Sequence, residues 1–449
     1  MAPRLPWLRL WLAVLNGTLF VAGVVLGTWV NRTAFLLALV VPIGLLPFSY
    51  ARLRLERMVR RTLGLGPRRR NLYAALSGCA LAFDGLMIAQ LVTAQLAHQL
   101  PTIHGPGISW LGPVWFSAHA LLFLGYLAVD ATRVARRVAS RIWTALAPDE
   151  AAGAPRGLAA SPERRMFLRR AGVAGAGLPF FVSLSSVNLS YDFRVQEREI
   201  ELPRWPRALD GLRVAHLSDI HVGGGMNRDR LLHVAELTNR ARPDVVLHTG
   251  DFLTHRSGAF DAPLYEALAR IEAPHGQWAC LGNHDFDDVE RLVGRLTASG
   301  VTVLRNRAET IAIEGQPVEI AGADFVFTRV GRAGIYQRVV TRLGPRSDAP
   351  RIFLNHDPMA FADLPDGCAD LVLSGHTHGG HVGLQVTPTL AVTVVGLAGL
   401  PDQGVFSRGD MRLFVTRCVG FYGYPMRVGI PPEISLLVLR SPRAVTTPA

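Results

Sequence analysis

The chain has 449 residues, and 47 basic against 35 acidic side chains leave a formal charge of +12. That length exceeds what a single compact core serves, so at least two folding units are expected. Every cation is arginine, and the excess is local: residues 1–186 hold 20 arginines and six acidic residues, whereas residues 187–449 hold 27 and 29. A nucleic-acid binder carries its basic surface on the domain that binds, while here the excess flanks apolar runs, so no nucleic-acid partner is expected. Cys79, Cys280, Cys368 and Cys418 show neither a CxxC metal spacing nor a dense disulfide framework. Buried free thiols are the default, with a Cys368–Cys418 bridge left open for an exported domain.

In chain order, four apolar runs long enough to span a bilayer come first: Leu10–Val30, Ala34–Tyr50, Leu72–Ala97 and Ile108–Asp130. A shorter fifth run, Ala171–Ser186, follows a basic cluster. Arginines crowd residues 51–70 and 131–170 but are sparse at 31–33 and absent from 98–107. The positive-inside rule therefore places the N-terminus and both arginine-rich segments in the cytoplasm, and everything after about residue 187 outside it if the fifth run crosses. Residues 164–170, Arg-Arg-Met-Phe-Leu-Arg-Arg, resemble a twin-arginine export motif, although such motifs usually stand at the N-terminus. Asp84 and His119 fall mid-run in the third and fourth spans, where a direct pair between them is expected. These readings delimit a membrane domain, 1–186, with four transmembrane helices plus the fifth run retained as an anchor, in a bacterial inner or plasma membrane.

Residues 187–449 read as an α/β domain. Strands are expected at Leu212–Leu217, Val245–Thr249, Trp278–Leu281, Val301–Leu304, Val318–Ala321, Ile352–Leu354, Leu371–Leu373, Leu413–Thr416 and Ile434–Leu439. Helices are expected at Arg228–Arg240, Pro263–Ile271, Asp288–Ser299 and near Tyr336–Arg342. Short strands rich in Val, Ile and Leu suit burial on both faces, so the pattern predicts a two-sheet β-sandwich flanked by helices.

Five motifs sit where strands end: Asp219-Ile220-His221, Gly250-Asp251, Gly282-Asn283-His284-Asp285, Asn355-His356-Asp357 and Gly375-His376-Thr377-His378. Ligand sites in α/β sheets form beyond the carboxyl ends of strands, so five such ends carrying N and O donors should converge. In order and spacing they resemble the calcineurin-like metallophosphoesterase superfamily over roughly residues 210–440. The likeness extends to its membrane-anchored bacterial branch, through Gly375–Gly380, Arg417 and Pro431–Ile434; His381 and Cys418 depart from that branch.

The resemblance implies a dinuclear centre. Asp219, His221 and His378 would hold one cation, Asn283, His356 and His376 the other, and Asp251 would bridge them. Donors without thiolate suit Mn, Fe, Zn or Co. It implies hydrolysis of phosphodiesters, monoesters or pyrophosphates by in-line attack of a water activated by both cations. His284 would donate a proton or stabilise the transition state, and Asp285 would orient His284 by a hydrogen bond. His216 and His248 read as satisfied near-core residues, while His381, Tyr422, Tyr424 and Arg427 are candidates to line the substrate cleft. The partners expected are the membrane and a phosphoester, lipid-linked or from the cell envelope, with a UDP-diacylglucosamine-like lipid pyrophosphate as one option. Competing readings are a non-catalytic scaffold or regulator that keeps the fold.

Overall fold

The computed structural model describes residues 50–59, 61–62, 78, 84, 111–146 and 161–442, apart from 223–224, 255–260, 345–347, 388–389 and 423–424. The expected runs Leu10–Val30, nearly all of Ala34–Tyr50 and most of Leu72–Ala97 lie outside the described residues, as do Cys79 and Tyr424. The chain divides into two compact units, the larger beginning at Ser185 apart from the short stretch 97–104.

In the first unit, helix α1 (Leu111–Leu146) contains most of the fourth expected run and continues through the arginine-rich segment. Helix α2 (Pro162–Leu189) contains the fifth run, with Pro179 inside it. Both have stretches long and apolar enough to cross a membrane. Ala51, Leu122 and Ala176 form a small buried cluster. The expected Asp84–His119 pair is not formed. Asp84 is ion-paired with Arg52, and His119 Nδ1 lies 2.8 Å from the carbonyl of Trp115 one turn back on its own helix. An arginine offers Asp84 the permanent charge that an imidazole inside an apolar bundle does not.

The second unit is built from two six-stranded sheets. The first has the order β1 (Arg194–Glu201), β14 (Glu433–Arg440), β2 (Leu212–Leu217), β3 (Val245–His248), β4 (Gln277–Ala279), β5 (Val301–Val303). The second has the order β12 (Gly404–Arg408), β13 (Met411–Val415), β9 (Leu371–Ser374), β8 (Arg351–Leu354), β7 (Gln316–Gly322), β6 (Arg307–Ile313). Strands β2 to β5 run parallel, as do β7, β8, β9 and β13. A separate hairpin joins β10 (Gly383–Gln385) to β11 (Ala391–Thr393).

Side-chain alternation assigns the layers. On β2, Leu212 and Val214 enter the core between the sheets, while Ala215 and Leu217 face the outer helical layer. On β8, Ile352 and Leu354 point inward and Phe353 outward. The outer face of the first sheet is covered by α3 (Arg228–Arg240), α4 (Ala262–Leu268) and α5 (Val289–Ala298), through Leu231, Leu264 and Leu296. That of the second is covered by α6 (Arg332–Arg342), through Tyr336 and Val339. Asn227 caps α3, its side chain accepting the Arg230 N–H. All nine expected strands and four expected helices are present, and the mixed α/β two-sheet architecture agrees with expectation. Strands β1, β6 and β12 and the β10–β11 hairpin were not expected; the first three lie at sheet edges, where only one neighbour and a weaker apolar pattern are needed.

Candidate metal centre

The parallel strands deliver their carboxyl ends to one place. Asp219 lies two residues past β2, Asp251 three past β3, His356 two past β8 and His376 two past β9. Asp219, His221, Asp251, His376 and His378 all have left-handed backbones, with φ of 53°, 50°, 53°, 68° and 52°. Non-glycine residues rarely adopt this conformation, so their surroundings must hold it. Here the Asp219 N–H donates to the Gly250 carbonyl at 2.9 Å, and the His221 N–H to the Asp251 carbonyl at 3.0 Å. The His376 N–H donates to Asp219 Oδ2 at 2.9 Å, joining the two sheets across the site. Two glycines make the approach possible. A Cβ on Gly282 would collide with the Asp251 carboxylate, and one on Gly375 with the Ser218 and Asp219 side chains.

All seven residues assigned as ligands by resemblance meet here. His378 Nε2 lies 3.2 Å from Asp219 Oδ1, and His221 Nε2 lies 3.5 Å from Asp251 Oδ2 and 3.8 Å from Asp219 Oδ1. On the other side His356 Nε2 lies 3.3 Å from Asp251 Oδ2, 3.1 Å from Asn283 Oδ1 and 3.0 Å from His376 Nδ1. Two groups with the spacing of a cation's ligands, Asp219–His221–Asp251 and Asp251–His356–His376, share Asp251. The donors also leave something unsatisfied. Asp219 Oδ1 and both ring nitrogens of His221 are buried without a hydrogen-bond partner. Such orphaned atoms are costly in an apolar interior and are met by a cation placed among them. The donor set therefore fits two divalent ions.

The electrostatics show the same demand for positive charge. Burial alone would raise the Asp219 carboxyl, but His378 and His356 hold it well below the usual carboxylate range. Burial would lower His356, yet Asp251 and Asp219 outweigh it and push the imidazole up to about 10. His221 goes the other way, down to about 3, through burial and the neighbouring His378. The carboxylates thus recruit a proton onto one imidazole, the nearest substitute for a cation that the side chains themselves supply.

A second set of residues holds the donors in place. Asp219 Oδ2 accepts Ser218 Oγ at 2.5 Å, and Ser218 accepts Thr249 Oγ1 at 2.7 Å, with His216 Nε2 2.8 Å from Thr249. His216 is buried, as expected, but only half satisfied: Nε2 ends a chain that reaches the site, while Nδ1 has no hydrogen-bond partner. His248 is likewise buried, with Nε2 3.1 Å from Gln277 Oε1. Cys418 and Cys368 are not disulfide-linked, so the open bridge is not made; the Cys418 thiol donates to Asp219 Oδ2 at 3.1 Å instead. His356 Nδ1 lies 2.7 Å from the Thr249 carbonyl, which fixes Nε2 toward the centre.

Two expected roles are corrected. Asp285 does not bond the His284 ring. Its oxygens accept the backbone N–H groups of Asp251 and Gly282 at 2.7 and 2.9 Å and of Phe252 at 3.0 Å. The two loops stand close enough for one buried carboxylate to serve both, which leaves it no oxygen for the imidazole. Burial and the Asp251 charge push this carboxyl up to about 7. Arg427 does not line a cleft either. It is fully buried and donates to the carbonyls of His378, Cys418 and Gly420, tying together the loops behind the ligands. The partly exposed groups over the centre are His284 and Tyr422. The His284 ring lies 5.2 Å from that of His221 and 4.6 Å from that of Tyr422. His381 stacks on His378 at 4.7 Å, and its Nδ1 lies 3.2 Å from the Met426 carbonyl. The sequence reading missed Ser218, Thr249 and Phe325, whose ring meets those of His356 and His376 at 5.8 Å. Ser218 and Thr249 adjoin the DxH and GD motifs, a signal that could have found them.

Comparison with known proteins agrees with the geometry. The profile of the calcineurin-like phosphoesterase family matches residues 212–380. The uncharacterized metallophosphoesterase YkuE of Bacillus subtilis is 30% identical over 252 residues, covering 55% of this chain and 85% of that protein. A transmembrane protein with metallophosphoesterase domain from Danio rerio is 31% identical over 267 residues, covering 57% of this chain and 59% of its own. Among solved structures, the NAD nucleotidase of Haemophilus influenzae aligns with 46% of this chain and 45% of its own at 16% identity and a TM-score of 0.30. With YkuE matched over most of its length and the two-sheet architecture in place, the chain belongs to the calcineurin-like phosphoesterase family and is a metallophosphoesterase, a hydrolase of ester bonds.

Proposed function

We propose that the chain is a membrane-anchored, two-metal hydrolase of phosphoesters whose catalytic domain, residues 187–449, lies outside the cytoplasm. The observation that carries this reading is the convergence of buried Asp219, His221, Asp251, His356 and His378 with the more exposed His376, Asp219 Oδ1 and the His221 ring nitrogens having no hydrogen-bond partner. Asp219, His221 and His378 would hold one divalent cation and Asn283, His356 and His376 a second, with Asp251 within reach of both groups. When bound, the pair supplies Lewis acidity toward the phosphoryl oxygens and an activated water.

The protein's own groups do the rest. His284 stands at the partly exposed side of the centre, its ring 5.2 Å from that of His221, where it gives its proton to the leaving oxygen. Tyr422 stacks beside it and limits its orientation. Asp285 acts as a positioning residue that locks the Asp251 and Asn283 loops. The arginine distribution and the twin-arginine-like residues 164–170 support the outward placement, with residues 1–186 as the membrane part.

The test is hydrolysis of bis(p-nitrophenyl) phosphate by the purified full chain, with metal content measured in parallel. Activity should vanish with a chelator, return with Mn, Fe, Zn or Co, and track about two metals per chain. Equal turnover after complete metal removal would sink the reading. Protease accessibility of the catalytic domain in intact cells tests its side of the membrane.

A further inference from the structure

Residues 383–401, which begin three positions after the last glycine of the Gly375–Gly380 motif, contain no ionisable side chain, in a chain that is 18% charged. They form the β10–β11 hairpin and the short helix α7 (Val394–Leu397). In the hairpin Leu384 pairs with Val392 and the Val386 N–H donates to the Leu390 carbonyl, so strand alternation places Val386 and Leu390 on the face of that pair, and Val394 opens α7. All five of these side chains are exposed, as are Leu397 and Leu400 beyond them. The opposite face carries Gly383, Gln385, Ala391 and Thr393. Thr393 is buried against the domain, bonded to Asp402, and a Cβ on Gly380 would meet its side chain.

This hairpin is inverted relative to one that meets water, which turns its apolar face to the core. Eleven large apolar side chains are exposed among the described residues from 185 onward, and eight of them lie between Leu384 and Val405. Such a concentration of exposed apolar side chains in one short segment marks a contact surface rather than scattered exposure. The occupant follows from connectivity and charge. Four residues separate the end of α2, which is apolar and long enough to cross a bilayer, from the first strand of the domain. That tether keeps the domain at a bilayer surface. A face of Leu and Val without charge suits the boundary between headgroups and acyl chains.

We infer that the apolar face of residues 384–400 docks into the lipid bilayer and brings the metal centre to phosphoesters carried by lipid. The inference rests on the hydrolase reading above. Its base is built on the glycines that directly follow His378, so docking fixes the distance between the bilayer surface and the reacting phosphorus. An amphiphile then presents its phosphoester without leaving the membrane.

The experiment uses the full chain reconstituted into phosphatidylcholine–phosphatidylglycerol vesicles, with a Cys79→Ser background; the remaining three thiols are buried. Spin labels are placed at Leu397→Cys and, as a control, at Val330→Cys, an exposed apolar position on another loop. The label at 397 should collide with oxygen and be shielded from a water-soluble nickel chelate, and the label at 330 should show the reverse. The double variant Leu384→Asp, Leu397→Asp should hydrolyse a vesicle-borne p-nitrophenyl ester of phosphatidic acid about tenfold more slowly or worse, because charges must then enter the apolar zone. Its turnover of soluble bis(p-nitrophenyl) phosphate should be unchanged. Equal accessibility of the two labels, or an unchanged rate on the vesicle-borne ester, overturns the inference. If the unsubstituted chain lacks metal-dependent activity even on the soluble diester, the hydrolase reading fails instead.

Discussion

The ligand loops and the β10–β11 hairpin are neighbours in sequence and opposites in physics. The loops are largely buried, carry unusual backbone angles, and are tied to one another by hydrogen bonds. The hairpin is exposed, regular in backbone and carries almost no polar side chain on its outer face. The first arrangement places atoms to within a fraction of an ångström, and the second offers area without direction. Substitutions should therefore act through geometry in the loops and through surface free energy in the hairpin.

The largest effect should come from the shared carboxylate. Asp251→Ala or His376→Ala should lower metal-dependent hydrolysis by about a thousandfold or more and reduce bound metal, read by elemental analysis and initial rates. Retention of full activity in either would remove the two-metal assignment. Next comes Asp285→Ala, which strands several buried backbone N–H groups. It should cost about 3 kcal/mol of stability or more in urea unfolding of the metal-free protein, besides lost activity. His284→Ala should do the converse, cutting turnover about 10²–10⁴-fold with an unchanged unfolding midpoint. If the two variants behave alike, the division between a positioning carboxylate and a catalytic imidazole fails.

A pH effect sharpens the contrast further. Burial pushes His216 down to about 3 and His248 down to about 4, so both are neutral in the fold. In the unfolded chain they protonate near 6.5. Below that pH the unfolded state binds more protons, so the stability these groups contribute is full above 6.5 and is lost as pH falls toward 4. Each costs up to about 1.4 kcal/mol per pH unit across that window. His248→Gln should flatten the dependence relative to the unsubstituted domain when urea midpoints are compared between pH 7 and 5. The smallest effect belongs to Cys418→Ser, which keeps a donor to Asp219 Oδ2 and should change metal affinity little. Cys418→Ala removes the donor and should weaken it about tenfold.

Much of this was legible in the sequence because the central strands are buried on both faces and read as apolar runs. The motifs stand at the ends of those runs, so convergence followed from strand polarity alone. Strand β1, Arg-Val-Gln-Glu-Arg-Glu-Ile-Glu, was not legible, because an edge strand needs only a weak alternation and its pairing partner lies at the far end of the chain. The work of Asp285 was hidden for another reason. Adjacency to His284 suggested a side-chain partner, whereas its true partners are backbone groups on a different loop. The apolar runs from Leu212 onward announced a core, but the Leu and Val residues of Leu384–Leu400, most of whose side chains are exposed, are no less apolar. Only the fold tells an inward strand from an outward one.

Strand β14 lies between β1 and β2, parallel to one and antiparallel to the other. The first strand made thus has no neighbour in its sheet until the last has left the ribosome. Such non-local pairing is slow, because the intervening chain must close before any contact rewards it. The domain then finishes as a unit after synthesis, with the order of events set by topology: translation, sheet closure, loading of the ligand loops. Truncation before Glu433 should leave β1 unpaired and release the domain to proteolysis.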